Sequence, residues 1–172
     1  MARRRSFLKT VAKAGFCLGA GCALGPVASL RVAASGSARY DLVAVRDSEP
    51  ELLFDAGMLA MGGMGQFVRP GQTVVVKPDI GWDVPPQRAA NTNPRLVARI
   101  VSHCRGAGAR RVFVFDHTYD AWRRAYRRSG IAAAVKRAGG ILAPGDGRGY
   151  FQRVQVGGNV LEQVDEHELC LL

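Results

Sequence analysis

The chain has 172 residues, 48% of them hydrophobic and 22% charged, which is enough to enclose one buried core and excludes wholesale disorder. Its four cysteines are too few for a disulfide scaffold. The formal charge of +10 is concentrated at the start: residues 1–34 hold six basic residues and no acid, leaving 18 basic against 14 acidic in the remainder. The remainder is only mildly basic, so no nucleic-acid partner is expected.

Arg4-Arg5-Ser6-Phe7-Leu8-Lys9 places a twin arginine before a bulky apolar pair and a lysine. An apolar run rich in Gly and Ala follows from Val11 to Leu30, interrupted by Lys13, and small residues follow from Val32 to Ala38. A charged start, an apolar middle and a small-residue end are the order of an export signal. The twin arginine resembles the signal of the Tat pathway, which carries folded proteins across a bacterial membrane. Residues 1–38 are therefore expected to be a twin-arginine signal peptide, with Arg4, Arg5, Phe7, Leu8 and Lys9 as its motif. The expected partner during export is the Tat translocase, membrane contact is transient through the signal, and the destination is the periplasm or cell envelope. Cleavage after Ala34 or after Ala38 fits the small-residue rule. An uncleaved anchor is a competing reading, as is lipidation at Cys22, although Gly19-Ala20-Gly21 lacks the large apolar residue expected before a lipidated cysteine. Beyond residue 38 only Cys104 and Cys170 remain. They are read as separate thiols, because Cys104 falls on an apolar helical stripe; pairing in an oxidising compartment is the alternative.

From residue 39 to 172 strand-like and helix-like segments alternate, the pattern of one α/β domain. Tyr40–Arg46 reads as a first strand. Pro50 to about Met61 reads as a helix with Leu52, Leu53, Ala56, Leu59 and Ala60 on one face, ended by Gly62-Gly63. Gly62-Gly63-Met64-Gly65 follows a helix rather than a strand, so it is not read as a phosphate loop. Thr73–Lys77 is a short apolar run after the turn Arg69-Pro70-Gly71, as in a buried strand. Asp79–Thr92 is a long loop containing Pro85-Pro86. Asn93 is an N-cap and Pro94 a first-turn proline for a helix that carries Leu96, Val97, Ile100, Val101 and Cys104 on one side, closed by Gly106 and Gly108. Arg111–Asp116 reads as a third strand. Asp120–Arg128 and Ile131–Ala138 read as two short helices broken at Gly130, and Ile141-Leu142 as the start of a short strand. Tyr150–Val156 and Val160–Val164, around Gly157-Gly158-Asn159, read as a β-hairpin. The expected fold is a mostly parallel sheet with helices on both faces and an appended hairpin. The apolar run Glu168–Leu172 carries no terminating signal, so the domain is expected to be truncated at its carboxyl end. No signal for an oligomeric state is visible.

Ligands of open α/β sheets bind beyond the carboxyl ends of the strands. That rule selects Lys77–Asp83 after the second strand and Asp116–Asp120 after the third, with Asn91, Thr92, Asn93 and Pro94 opening a helix between them. Lys77 brings a cation and the helix start free N–H groups, a combination suited to an anion. Asp116 is placed to orient His117 or share a metal with it, and His117 is the natural proton carrier. These two are the catalytic candidates. Lys77, Asp79, Asn91, Thr92 and Asn93 are the ligand-binding candidates. Asp79, Asp83 and Asp120 add oxygens for a metal, but no pair has the spacing of a known metal site. Plainer readings stand beside these: Lys77 as a solvated rim charge, Asp116 as a loop cap, Trp82 as a loop anchor, and His103 and His167 as surface residues. Arg123, Arg124, Arg127 and Arg128 form a basic helix face, either solvated or meeting an acidic partner.

At Val75-Val76-Lys77-Pro78-Asp79-Ile80-Gly81-Trp82, Ala90-Asn91-Thr92-Asn93-Pro94 and Val114-Phe115-Asp116-His117-Thr118 the chain resembles the domain-of-unknown-function family 362, including its Tat-exported bacterial members. The family name supplies little chemistry. Some relatives carry ferredoxin-type iron–sulfur segments, and no such cluster motif is present here; an iron–sulfur association or a metal ion is what the resemblance leaves open for a cofactor. The chain departs from the family pattern at Asp79, more often Asn, and at Tyr119 and Ala125, where exported relatives often have cysteines. Family members also continue into a strand followed by a Lys-x-His segment that this chain lacks. Three readings of function follow. The first is an exported α/β protein with an anion- or metal-binding crevice and an unspecified reaction. The second is an iron–sulfur-associated redox protein, and the third a non-catalytic envelope module that binds through its arginine face.

Overall fold

The computed structural model describes residues 40–46 and 48–171; the signal-peptide reading over residues 1–38 lies outside them. The elements are α1 (Pro50–Ala60), β1 (Thr73–Val76), α2 (Pro94–Gly106), β2 (Arg111–Val114), α3 (Trp122–Arg128), α4 (Ile131–Arg137), β3 (Ile141–Leu142), β4 (Phe151–Gln155) and β5 (Gln163–His167). Strands β1, β2 and β3 form a parallel sheet in that spatial order, with Val76 beside Val114 and Val114 beside Leu142. β4 and β5 form a separate antiparallel hairpin. This is the α/β architecture expected, with an appended hairpin.

Each parallel connection runs through a helix. Asn93 starts α2 by accepting the Arg95 amide at 2.9 Å, and Pro94 follows in the first turn. Val97, Val101 and Cys104 recur at helical spacing on the buried side of α2. They meet Val112 and Val114 of β2, Ile131 and Val135 of α4, and Tyr126 of α3, which together form one core. Gly130 joins α3 to α4 at φ +78°, a left-handed conformation that glycine adopts without strain.

α1 is held to α2 by a row of polar contacts. Arg95, Arg99 and His103, spaced by four residues along α2, meet Glu49, Glu51 and Asp55. Arg95 pairs with Glu49 at 2.7 Å and also with Glu51; Arg99 grips both oxygens of Asp55 at 2.6 and 2.7 Å, and His103 Nε2 lies 2.8 Å from Asp55 Oδ1. His103 is thus a bridging residue rather than a plain surface one.

Three further expectations are corrected. Tyr40–Arg46 has no regular structure, and Leu42 is exposed. An alternating pattern gives a strand only where a neighbouring backbone completes the ladder, and the sheet begins at β1. The second hairpin strand starts at Gln163 rather than Val160, because the connecting loop takes in Val160 and Leu161, both exposed, and closes through the Val156 amide on the Glu162 carbonyl at 2.9 Å. His167 is only 2% exposed, not a surface residue: its ring stacks on Phe115 with centroids 4.0 Å apart. Its Nδ1 accepts the Leu169 amide at 3.2 Å, so the proton sits on Nε2, which donates to the Pro144 carbonyl at 3.1 Å. This histidine pins the hairpin to the residue that precedes Asp116.

Candidate functional site

The loops leaving β1 and β2 are joined by one carboxylate. Asp116, two residues past β2, is 4% exposed. Its Oδ1 accepts from Lys77 Nζ at 2.5 Å and its Oδ2 accepts the Ile80 amide at 2.8 Å. Lys77, the first residue after β1, keeps a side chain that is 58% exposed. A buried carboxylate therefore orients a cation that still faces outward at the carboxyl ends of the parallel strands. Behind it, Tyr126 Oη accepts the Asp116 amide at 2.7 Å and donates to the Asp116 carbonyl at 3.2 Å. Burial pushes the Tyr126 phenol up to about 12, so it stays a donor.

The remaining candidates shape the loops. Asp79 and Thr92 exchange two hydrogen bonds, Asp79 amide to Thr92 Oγ1 at 3.0 Å and Thr92 amide to Asp79 carbonyl at 2.8 Å. Asp79 Oδ1 also accepts the Gly81 amide at 3.2 Å. The Asn91 side chain pairs with the backbone of Trp82 in both directions, each at 3.0 Å. Asn93 caps α2. In the same loop Ala89 takes φ +50°, a left-handed conformation uncommon outside glycine. The Tyr119 and Asp120 amides donate to the Gly81 carbonyl at 3.1 and 3.2 Å, and Asp120 Oδ2 accepts the Asp83 amide at 2.8 Å. Asp83 in turn pairs with Arg124 of α3 at 2.9 Å.

The structure thus brings Lys77, Asp79 and Asp116 into one loop cluster and ties Asn91, Thr92 and Asn93 to it from the start of α2. His117 stands apart from the Asp116 carboxylate, whose oxygens go to Lys77 and Ile80. It is exposed, and its ring lies 5.2 Å from that of Phe151 in the hairpin. Cys170 was not among the candidates. Desolvation and its hydrogen bond to Glu166 push this exposed thiol up, while the Lys77 ammonium pulls it the other way. Cys104 is buried in α2, and both thiols are free. Among the described residues, no group of three His, Cys, Asp or Glu is placed to hold a metal ion. A separate open depression of about 380 Å³, lined by Arg99, Ser102 and His103 of α2 together with Met64, contains none of the candidates.

Comparison with known proteins adds one match. The family model for a domain of unknown function (DUF362) covers residues 74–171, more than half of the chain and all of the loop cluster just described, and the chain belongs to that family. No curated protein and no solved structure matches.

Proposed function

We propose that this member of the DUF362 family binds a small oxyanion at the carboxyl ends of β1 and β2. Lys77 is the cation that meets it, and His117, exposed at the next loop, is the group that carries a proton to or from it. One observation supports this above the others: Lys77 is fixed by a buried carboxylate yet remains mostly exposed. The pairing holds the ammonium at the strand ends while leaving it open to solvent, where an anion can reach it. A lysine ammonium has three donors, and Asp116 uses one. The metal form of the reading has no three-ligand group behind it among the described residues, so the anion form is the one taken.

The test is calorimetric titration of the whole chain with phosphate and with acetate. Binding is expected, and Lys77→Met is expected to weaken it by about tenfold or more. Equal binding by the variant would remove Lys77 from the site and overturn the proposal.

The protein is further proposed to be exported through the Tat translocase to the periplasm or cell envelope. The support is the sequence Arg4-Arg5-Ser6-Phe7-Leu8-Lys9 and the apolar run behind it. Replacing both arginines, Arg4→Lys with Arg5→Lys, is expected to retain the protein in the cytoplasm of a bacterial host. Unchanged export of that double variant would rule the pathway out.

A further inference from the structure

An aromatic pair stands on the two loops that Asp116 ties together. The rings of Trp82 and Tyr119 stack with centroids 5.2 Å apart and planes 24° from parallel. Tyr119 is 82% exposed and Trp82 46%. With one face of Tyr119 against Trp82, its exposure lies on the outer face and edge, open to a further ring.

The pair is held by backbone rather than by a surrounding core. The Asn91 amide grips Trp82 N–H and C=O, and the Tyr119 amide donates to the Gly81 carbonyl. Gly81 makes room for this arrangement: a Cβ there would stand 3.1 Å from Tyr119 Cδ2. Burying these two rings would release apolar surface from water, yet the fold turns them outward on short, hydrogen-bonded loops. Two aromatic rings stacked on backbone-held loops give a surface with part of the ordering cost met before any ligand arrives.

Resting on the oxyanion reading of the Lys77 crevice, we infer that its ligand carries a flat aromatic ring, and that this ring stacks on the outer face of Tyr119 while the anionic group meets Lys77. The ligand class is an aryl phosphate or aryl carboxylate, as opposed to a bare inorganic anion.

The experiment titrates the full chain with two pairs of probes, phosphate against phenyl phosphate and acetate against benzoate. In at least one pair the ring-bearing member is expected to bind roughly five- to tenfold tighter, the range of a single aromatic stack. Tyr119→Ala is expected to erase that preference and leave the bare anion's affinity unchanged, whereas Tyr119→Phe keeps it. As a measurement that needs no variant, nuclear Overhauser contacts are expected between the probe's ring protons and the Tyr119 ring. If the bare anions bind through Lys77 but the aryl probes bind no tighter, or do so equally in Tyr119→Ala, the ring inference fails and the crevice reading survives. If none of the four probes binds, or Lys77→Met binds them all as well as the wild type does, the crevice reading fails and takes this inference with it.

Discussion

Tyr126 and Asp116 form a closed hydrogen-bonded pair in which one phenolic oxygen serves both backbone groups of one residue, accepting its amide at 2.7 Å and donating to its carbonyl at 3.2 Å. The pair sets the backbone angle at which the Asp116 carboxylate leaves β2. The anchored lysine therefore depends on a phenol that never touches it.

Tyr126→Phe removes both bonds and is expected to cost about 1–2 kcal/mol in urea denaturation at neutral pH. The same variant isolates a pH effect. Burial raises the phenol from its ordinary 10.0 to about 12 in the folded protein. The unfolded chain therefore releases this proton first. Stability from this group is complete below pH 10 and is lost as the pH climbs towards 12, by roughly 2–3 kcal/mol over the full step. The variant is expected to lack that component of the alkaline decline. Parallel decline of both proteins between pH 9 and 11.5 would contradict the assignment.

Asp116→Ala leaves the Ile80 amide, in a fully buried residue, without its acceptor. The expected loss is about 1–3 kcal/mol of stability. Asp116→Asn retains an oxygen for that amide and is expected to lose less stability while still releasing Lys77, so the proposed oxyanion affinity is expected to fall in both variants. A stability for Asp116→Ala within error of wild type would show that the amide finds another partner.

Gly145 passes so close to the Asp116 backbone that a Cβ would lie 2.1 Å from the Asp116 carbonyl oxygen and 2.8 Å from Tyr126 Oη. Gly145→Ala must therefore push the pair apart, and about 1–3 kcal/mol of destabilisation is expected from thermal melts. Gly149→Ala, four residues on with nothing within 4 Å, is the matched control and should melt like the wild type. Equal melting of the two variants would mean that the chain near Gly145 yields without strain.

Much of the frame was legible because its signals are local. Asn93-Pro94 marks the start of α2 by cap chemistry, and Thr73–Val76 and Arg111–Val114 are apolar runs of strand length between turn residues. Tyr40–Arg46 carries a similar local pattern and still forms no strand, because pairing depends on a neighbour that local sequence does not report. The hairpin was legible as a hairpin but not in its register, since Val160 and Leu161 look like strand residues and lie in the loop. Within the site, the strand-end rule located Lys77 and Asp116. It did not reveal that they pair with each other, that His117 turns towards Phe151, or that His167 is buried against Phe115. Those are contacts between distant parts of the chain, settled by packing.

The path from Lys77 to Asp116 spans 39 positions and runs through the whole of α2 before β2 returns beside β1. Closing a loop of that length is an entropic barrier that must be crossed before the ion pair contributes anything in return. The Lys77–Asp116 pair is therefore a product of the finished crossover and not of hydrophobic collapse. In a refolding experiment, the proposed oxyanion affinity should lag behind helix signal and arrive with the parallel pairing of β1 and β2, which would make capture of that ligand a clock for the last long-range step of folding.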